Sequence, residues 1–176
     1  MEGVLEEIMN IYFIRTGFGS ACTGAIIAVM FGGLGSARGI KIAATQAAGV
    51  LSEKPELFGR LLILMALPGT QGFYGFICAI MIALRTGVIK GEITVTPIVG
   101  MAILAVGICM GIVQWRCAIY QGEASAAAIN LISKKPEEVG RAIIMPALVE
   151  TYAVVSLLTS ILLIFWFTKE GGISYM

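Results

Sequence analysis

The sequence predicts an all-α membrane protein whose four transmembrane helices form two tandem helical hairpins. Three observations carry that prediction. The chain of 176 residues is 58% hydrophobic and only 13% charged, whereas charged residues make up about a quarter of an ordinary soluble domain. Its apolar residues fall into four segments long enough to cross a hydrocarbon layer about 30 Å thick. Finally, the turn Ser52-Glu-Lys-Pro-Glu-Leu-Phe-Gly-Arg60 returns as Ser133-Lys-Lys-Pro-Glu-Glu-Val-Gly-Arg141, with six of nine residues identical at an offset of 81. A repeat of that length marks a duplicated supersecondary unit. Residues 1–90 are therefore read as the first hairpin and 91–176 as the second.

Segment one, about 11–50, follows an N-terminus with Glu2, Glu6 and Glu7 where a signal peptide carries positive charge, so the span is expected to be retained. Gly17, Ala21, Gly24, Ala28, Gly32, Gly35 and Gly39 recur at spacings of three and four, which lines one helix face with small residues and lets a neighbouring backbone approach in lipid. A glycine-rich phosphate loop is the competing idea, but no G-x-x-x-x-G-K-[ST] motif is present, and close helix packing is the better reading. The proline turn at Pro55 leads to segment two, 61–84, flanked by Arg60 and Arg85 as interfacial anchors. Segment three, about 98–132, repeats the small-residue register with Gly100, Gly107, Gly111, Ala118, Gly122 and Ser125. After the second proline turn, segment four runs from Ala142 to Phe167.

Composition also removes functions. A net charge of +1 argues against nucleic acid. The absence of His removes the commonest general base and metal ligand. Cys22, Cys78, Cys109 and Cys117 lie in apolar stretches without metal-ligand spacing and read as packing residues.

Glu150 stands inside segment four, nine residues past Arg141, or about 13 Å along a helix. A carboxylate at that depth costs several kcal/mol unless compensated, and by default it marks a transport or ligand site. In a hairpin, residues equidistant from the turn lie at similar depth. Glu150 is fourteen residues after Pro136 and Gln121 fifteen before it, while Thr70 and Gln71 are fifteen and sixteen after Pro55. One level of the membrane thus collects four polar side chains. Leu67, Thr70, Gln71 and Tyr74 share a helix face by their spacing. Pro68 withdraws a backbone donor and frees the carbonyl of residue 64, and broken helices near the midplane can expose oxygen ligands. The first hairpin has Gly69 where the second has Glu150.

One carboxylate among a hydroxyl and two amide carbonyls suits a hard cation of single charge. Sodium is the expected ion, with Tyr74 fixing the carboxylate. A proton is the alternative should Gln71 or Gln121 point away from Glu150. A small carboxylate-driven exporter of organic cations is a further alternative, predicting aromatic residues around Glu150 and a dimer. The charged residues Arg38, Lys41, Arg116 and Glu123 all belong to segments one and three. This places those segments against an enclosed space, polar or lipid-filled, with segments two and four toward the bilayer. Lys and Arg divide five to four between the two ends once the deep ones are omitted, too even to fix orientation.

Leu67-Pro-Gly-Thr-Gln-Gly-Phe-Tyr-Gly75, Gln121-Gly122 and Leu148-Val-Glu-Thr-Tyr152 resemble the proteolipid (c or K) subunit of the V/A-type rotary ATPases, in its sodium-binding bacterial form. The likeness runs from Gly32-Gly-Leu-Gly-Ser-Ala-Arg38 to the end of segment four. It implies a homo-oligomeric rotor ring with segments one and three inside and the other two outside. It implies sodium held by the Leu67 carbonyl, Thr70, Gln71, Gln121 and Glu150, with Tyr74 hydrogen-bonded to the carboxylate. It further implies that the ring turns past a stator membrane subunit whose arginine opens the site, coupled to ATP hydrolysis or synthesis elsewhere in the complex. The proline turns are then cytoplasmic and dock a central stalk, with both termini on the opposite side of the cell membrane. No nucleotide is expected on this chain. Gln114-Trp115-Arg116 is more polar than the family pattern.

Overall fold

A computed structural model of the chain describes residues 2–10, 15–91 and 95–169. The opening of segment one at 11–14, part of the connection between the hairpins, and the C-terminal end from 170 lie outside the described residues. Among the described residues six α-helices follow in order: α1 Glu2–Met9, α2 Phe18–Glu53, α3 Phe58–Ala66, α4 Thr70–Arg85, α5 Pro97–Lys134 and α6 Val139–Phe167. The membrane spans are α2, the α3–α4 unit, α5 and α6 with its preceding turn, which gives four spans of 31 to 38 residues. The two hairpins meet the expectation of an all-helical membrane fold.

Both proline turns work alike. Pro55 and Pro136 each open a 3-10 turn at its first position, where the missing N–H costs nothing and the fixed φ is pre-set. The turns are tied to one another across the repeat: Lys54 Nζ donates to the Ser133 carbonyl at 2.6 Å, and Arg60 Nη1 to the Pro136 carbonyl at 2.8 Å. At the other end, Arg85 donates from Nε to Thr168 Oγ1 at 2.9 Å and lies over the Phe165 ring. That contact ties the end of α4 to the end of α6.

The centre of the fold is a parallel seam between α2 and α5, built from backbone rather than side chains. A Cβ placed on Gly100 would lie 2.2 Å from the Gly17 carbonyl oxygen, one on Gly107 2.2 Å from that of Gly24, and one on Gly122 2.5 Å from that of Gly39. Each pair is 83 residues apart. Only residues without a side chain allow this approach. In lipid, where helices gain nothing from expelling water, such contact supplies the dispersion and Cα–H···O interactions that hold them. The α4 helix packs on α2 by the same means, since a Cβ on Gly75 would meet the Ala28 carbonyl oxygen at 2.4 Å. The α6 helix covers α5.

Two apolar clusters fill the remaining space. Ala43, Ala47, Leu61, Leu64, Ile129 and Ile132 form the one near the proline turns. Ala28, Cys78, Ile82, Ile103, Met110 and Ile164 are among those forming the other. All four cysteines are free thiols; Cys78 is buried, Cys22 and Cys117 are partly buried, and Cys109 is exposed, so only Cys78 is a core packing residue within one copy. Between the clusters lies a polar layer.

Candidate ion-binding site

The span formed by α3 and α4 is broken where the polar layer crosses it. Pro68 sits in a 3-10 turn, Leu67–Gly69, between the two helices. Restarting the helix at Thr70 leaves its first N–H groups without intrahelical acceptors. Ser36 on α2 meets one of them: its Oγ accepts from the Gly72 N–H at 2.8 Å. Thr70 Oγ1 turns back to the Leu67 carbonyl at 3.0 Å and lies 3.3 Å from Gln71 Oε1. Three neutral oxygens thus gather on the broken turn.

From there a directed chain of amides leads to the carboxylate. Gln71 Nε2 donates to Gln121 Oε1 at 2.6 Å. Gln121 Nε2 faces the Pro146 carbonyl at 3.2 Å and Glu150 Oε2 at 3.5 Å. Tyr74 donates from its hydroxyl to Glu150 Oε1 at 2.6 Å. Gln71 and Gln121 are both fully buried, while Glu150 is half-buried. Tyr74 therefore joins α4 to α6, and Gln121 joins α5 to α6.

The structure accordingly brings together Leu67, Thr70, Gln71, Tyr74, Gln121 and Glu150. It differs from a simple inward-facing cage in one respect. The two glutamine amides are bonded to each other, and one of them has its oxygen turned outward from the pair. Here that is Gln71, whose oxygen faces Thr70. Gln121 presents nitrogen, not oxygen, to Glu150. Gln121 Oε1 keeps a second lone pair beyond the one that accepts from Gln71, so both amide oxygens remain available to a cation.

Arg38, Lys41, Arg116 and Glu123 take no part in this layer and are exposed on α2 and α5. Arg116 hydrogen-bonds to the Tyr120 hydroxyl and stacks over its ring. Gln114 is fully buried and forms a second polar contact between α5 and α6, donating to the Ala153 carbonyl at 2.9 Å and to Ser156 Oγ at 2.8 Å. Sequence reasoning does not reach Ser36 or the Pro146 carbonyl. For Ser36, the only signal in sequence is the orphan donor that Pro68 creates on a helix restart two residues later.

This fold and site define a class: a multi-pass membrane protein with a duplicated hairpin and one carboxylate in an otherwise neutral polar layer. The family model for the C subunit of ATP synthase matches twice, over residues 23–82 and 104–163. The chain is 38% identical over 137 residues to the V-type sodium ATPase subunit K of Enterococcus hirae, covering 78% of this chain and 85% of that protein. It is 39% identical over 141 residues to the A-type ATP synthase subunit K of Methanocaldococcus jannaschii, covering 80% of this chain and 60% of that relative. The chain belongs to this ATP synthase proteolipid family, as a c/K-type member of a V/A-type rotor ring.

Proposed function

We propose that this rotor protein carries sodium across the membrane, one ion per copy, bound at Glu150. The observation that carries the reading is a set of neutral oxygens on the broken turn, linked to the carboxylate through the Gln71–Gln121 amide chain. The Thr70 hydroxyl has the Leu67 carbonyl at 3.0 Å and Gln71 Oε1 at 3.3 Å, which makes three neutral oxygens in all. A proton needs none of these, whereas a hard cation needs them in exchange for its hydration shell. The Enterococcus hirae relative belongs to a sodium ATPase by name, which favours the same ion.

In this reading Glu150 supplies the compensating charge, and Tyr74 keeps the carboxylate aimed into the layer. Gln121 offers the second lone pair of its oxygen to the ion while still accepting from Gln71. A stator arginine facing the half-buried Glu150 from the bilayer side competes for the carboxylate and releases the ion. The proline turns face the cytoplasm and receive the central stalk, both termini lie on the opposite side, and lipid fills the space enclosed by Arg38, Lys41, Arg116 and Glu123.

Carbodiimide labelling tests the ion. The reagent modifies the protonated carboxyl of Glu150 in assembled rings, and millimolar sodium is expected to slow that reaction while potassium does not. Labelling indifferent to sodium would assign the protein to protons. Glu150→Gln is expected to abolish transport with the ring still assembled; sodium transport by that variant would remove Glu150 from its role.

A further inference from the structure

The broken turn Leu67–Gly69 and the start of α4 rest on three residues of α2, Gly32, Ser36 and Gly39. Spacings of four and three put these on one helix face, and all three are buried. Gly32 makes room for the Gln71 carbonyl oxygen, which a Cβ there would meet at 2.8 Å, and Gly39 makes room for the Pro68 ring, at 2.7 Å. Between them stands Ser36, the polar member of the stripe. Its Oγ accepts from the Gly72 N–H at 2.8 Å, and the residue is only 6% exposed. The glycines set how near the turn comes to α2. The hydroxyl, through a directional bond, sets where along α2 it stops.

The duplication supplies an internal comparison. Moved forward by the repeat of 81, the stripe becomes Val113, Cys117 and Tyr120. The residues it seats, Pro68, Gln71 and Gly72, become Val149, Tyr152 and Ala153. The α6 helix runs unbroken through those positions. Where there is no break to hold, neither glycine nor the serine is present. The seat therefore belongs to the broken turn and not to the hairpin as such.

A cation replaces its hydration shell only where the protein oxygens stand at the right separations. The Leu67 carbonyl, Thr70 Oγ1 and Gln71 Oε1 all come from the five residues before Gly72, whereas Gln121 comes from α5 and Glu150 from α6. Their mutual placement depends on where the broken turn sits. We propose that Ser36 is a positioning residue for the ion: its hydroxyl holds the turn in register with Gln121 and Glu150, so that α2 sets the affinity of a site to which it gives no ligand. Without that acceptor, the α-helical alternative for the Gly72 N–H is the Pro68 carbonyl four residues back. Taking it tightens the turn and carries all three oxygens out of place.

This inference rests on the reading of Glu150 as a sodium site, and it is tested on assembled rings by carbodiimide labelling of Glu150 against sodium. In Ser36→Ala rings the sodium concentration that halves labelling is expected to rise about tenfold, the loss of one hydrogen bond, while labelling without sodium keeps its rate. Ser20→Ala is the control: it removes another buried hydroxyl from α2, sixteen residues earlier and bonded to Met101 instead, and should leave the midpoint in place. A Ser36→Ala midpoint within about twofold of the wild type overturns the proposal. So does an equal shift in both variants, which assigns the effect to general packing, or a fall in the dissociation temperature of the rings with the midpoint unmoved. Should Ser36→Ala fail to assemble, Ser36→Cys decides the matter, since sulfur keeps the shape but accepts only weakly; a severalfold rise is expected, and an unmoved midpoint overturns the proposal. Wild-type rings that sodium does not protect withdraw the ion reading and this inference with it, whereas protected wild-type rings with unmoved variants overturn only the role of Ser36.

Discussion

Removing one oxygen atom from Tyr74 isolates the contact that aims the carboxylate. Its hydroxyl lies 2.6 Å from Glu150 Oε1, and the rest of the ring packs between α4 and α6. Tyr74→Phe therefore deletes the donor while leaving the packing in place. Hydrogen bonds to charged groups contribute about 1.5–3 kcal/mol net, and each ~1.4 kcal/mol is a factor of ten in affinity. The sodium concentration that halves carbodiimide labelling of Glu150 is expected to rise by about 10- to 150-fold. The measurement is a labelling rate against sodium for purified rings, read by mass of the modified protein. Labelling without sodium must persist in the variant, which shows that the site is still assembled. A midpoint that moves by less than about threefold would show that this hydroxyl contributes nothing to ion binding, and the role assigned to Tyr74 would be withdrawn.

Other substitutions separate packing from polar satisfaction. Gln71→Leu leaves the fully buried Gln121 Oε1 without its donor and is expected to destabilise the ring by about 1–3 kcal/mol, with partial recovery in the Gln71→Leu, Gln121→Leu double variant; thermal dissociation of rings in detergent reads both. Gly107→Ala pushes a Cβ to 2.2 Å from the Gly24 carbonyl oxygen, an overpacking of about 1–3 kcal/mol that should lower ring yield. Gly59→Ala, where nothing lies within 4 Å, should be neutral or slightly stabilising in the same assay. Arg60→Ala removes an exposed hydrogen bond between the turns and should cost about 1 kcal/mol or less in ring melting.

Much of this architecture can be read in the chain before any coordinates. The proline turns mark the repeat, and glycines at spacings of three and four mark the faces that meet. Counting from each proline puts Thr70, Gln71, Gln121 and Glu150 at one depth, because rise per residue is fixed in a helix. Counting along an axis does not, however, give rotation about it. The pairing of Gly24 with Gly107 at an offset of 83, rather than the 81 of the repeat itself, depends on how two ridged surfaces settle against each other. The polarity of the amide chain is hidden for a related reason: a glutamine has the same formula whichever end it points at Glu150. Gln114 is legible as an oddity, but its contact with Ser156 requires α5 and α6 to be placed side by side.

The backbone-to-backbone seam has a mechanical meaning. Where two rods touch through their main chains, there are no rotamers to flex and no long side chains to act as springs. The paired hairpins of one protomer must then behave as a single stiff stave. The polar layer that spans α4, α5 and α6 is then carried on a rigid frame.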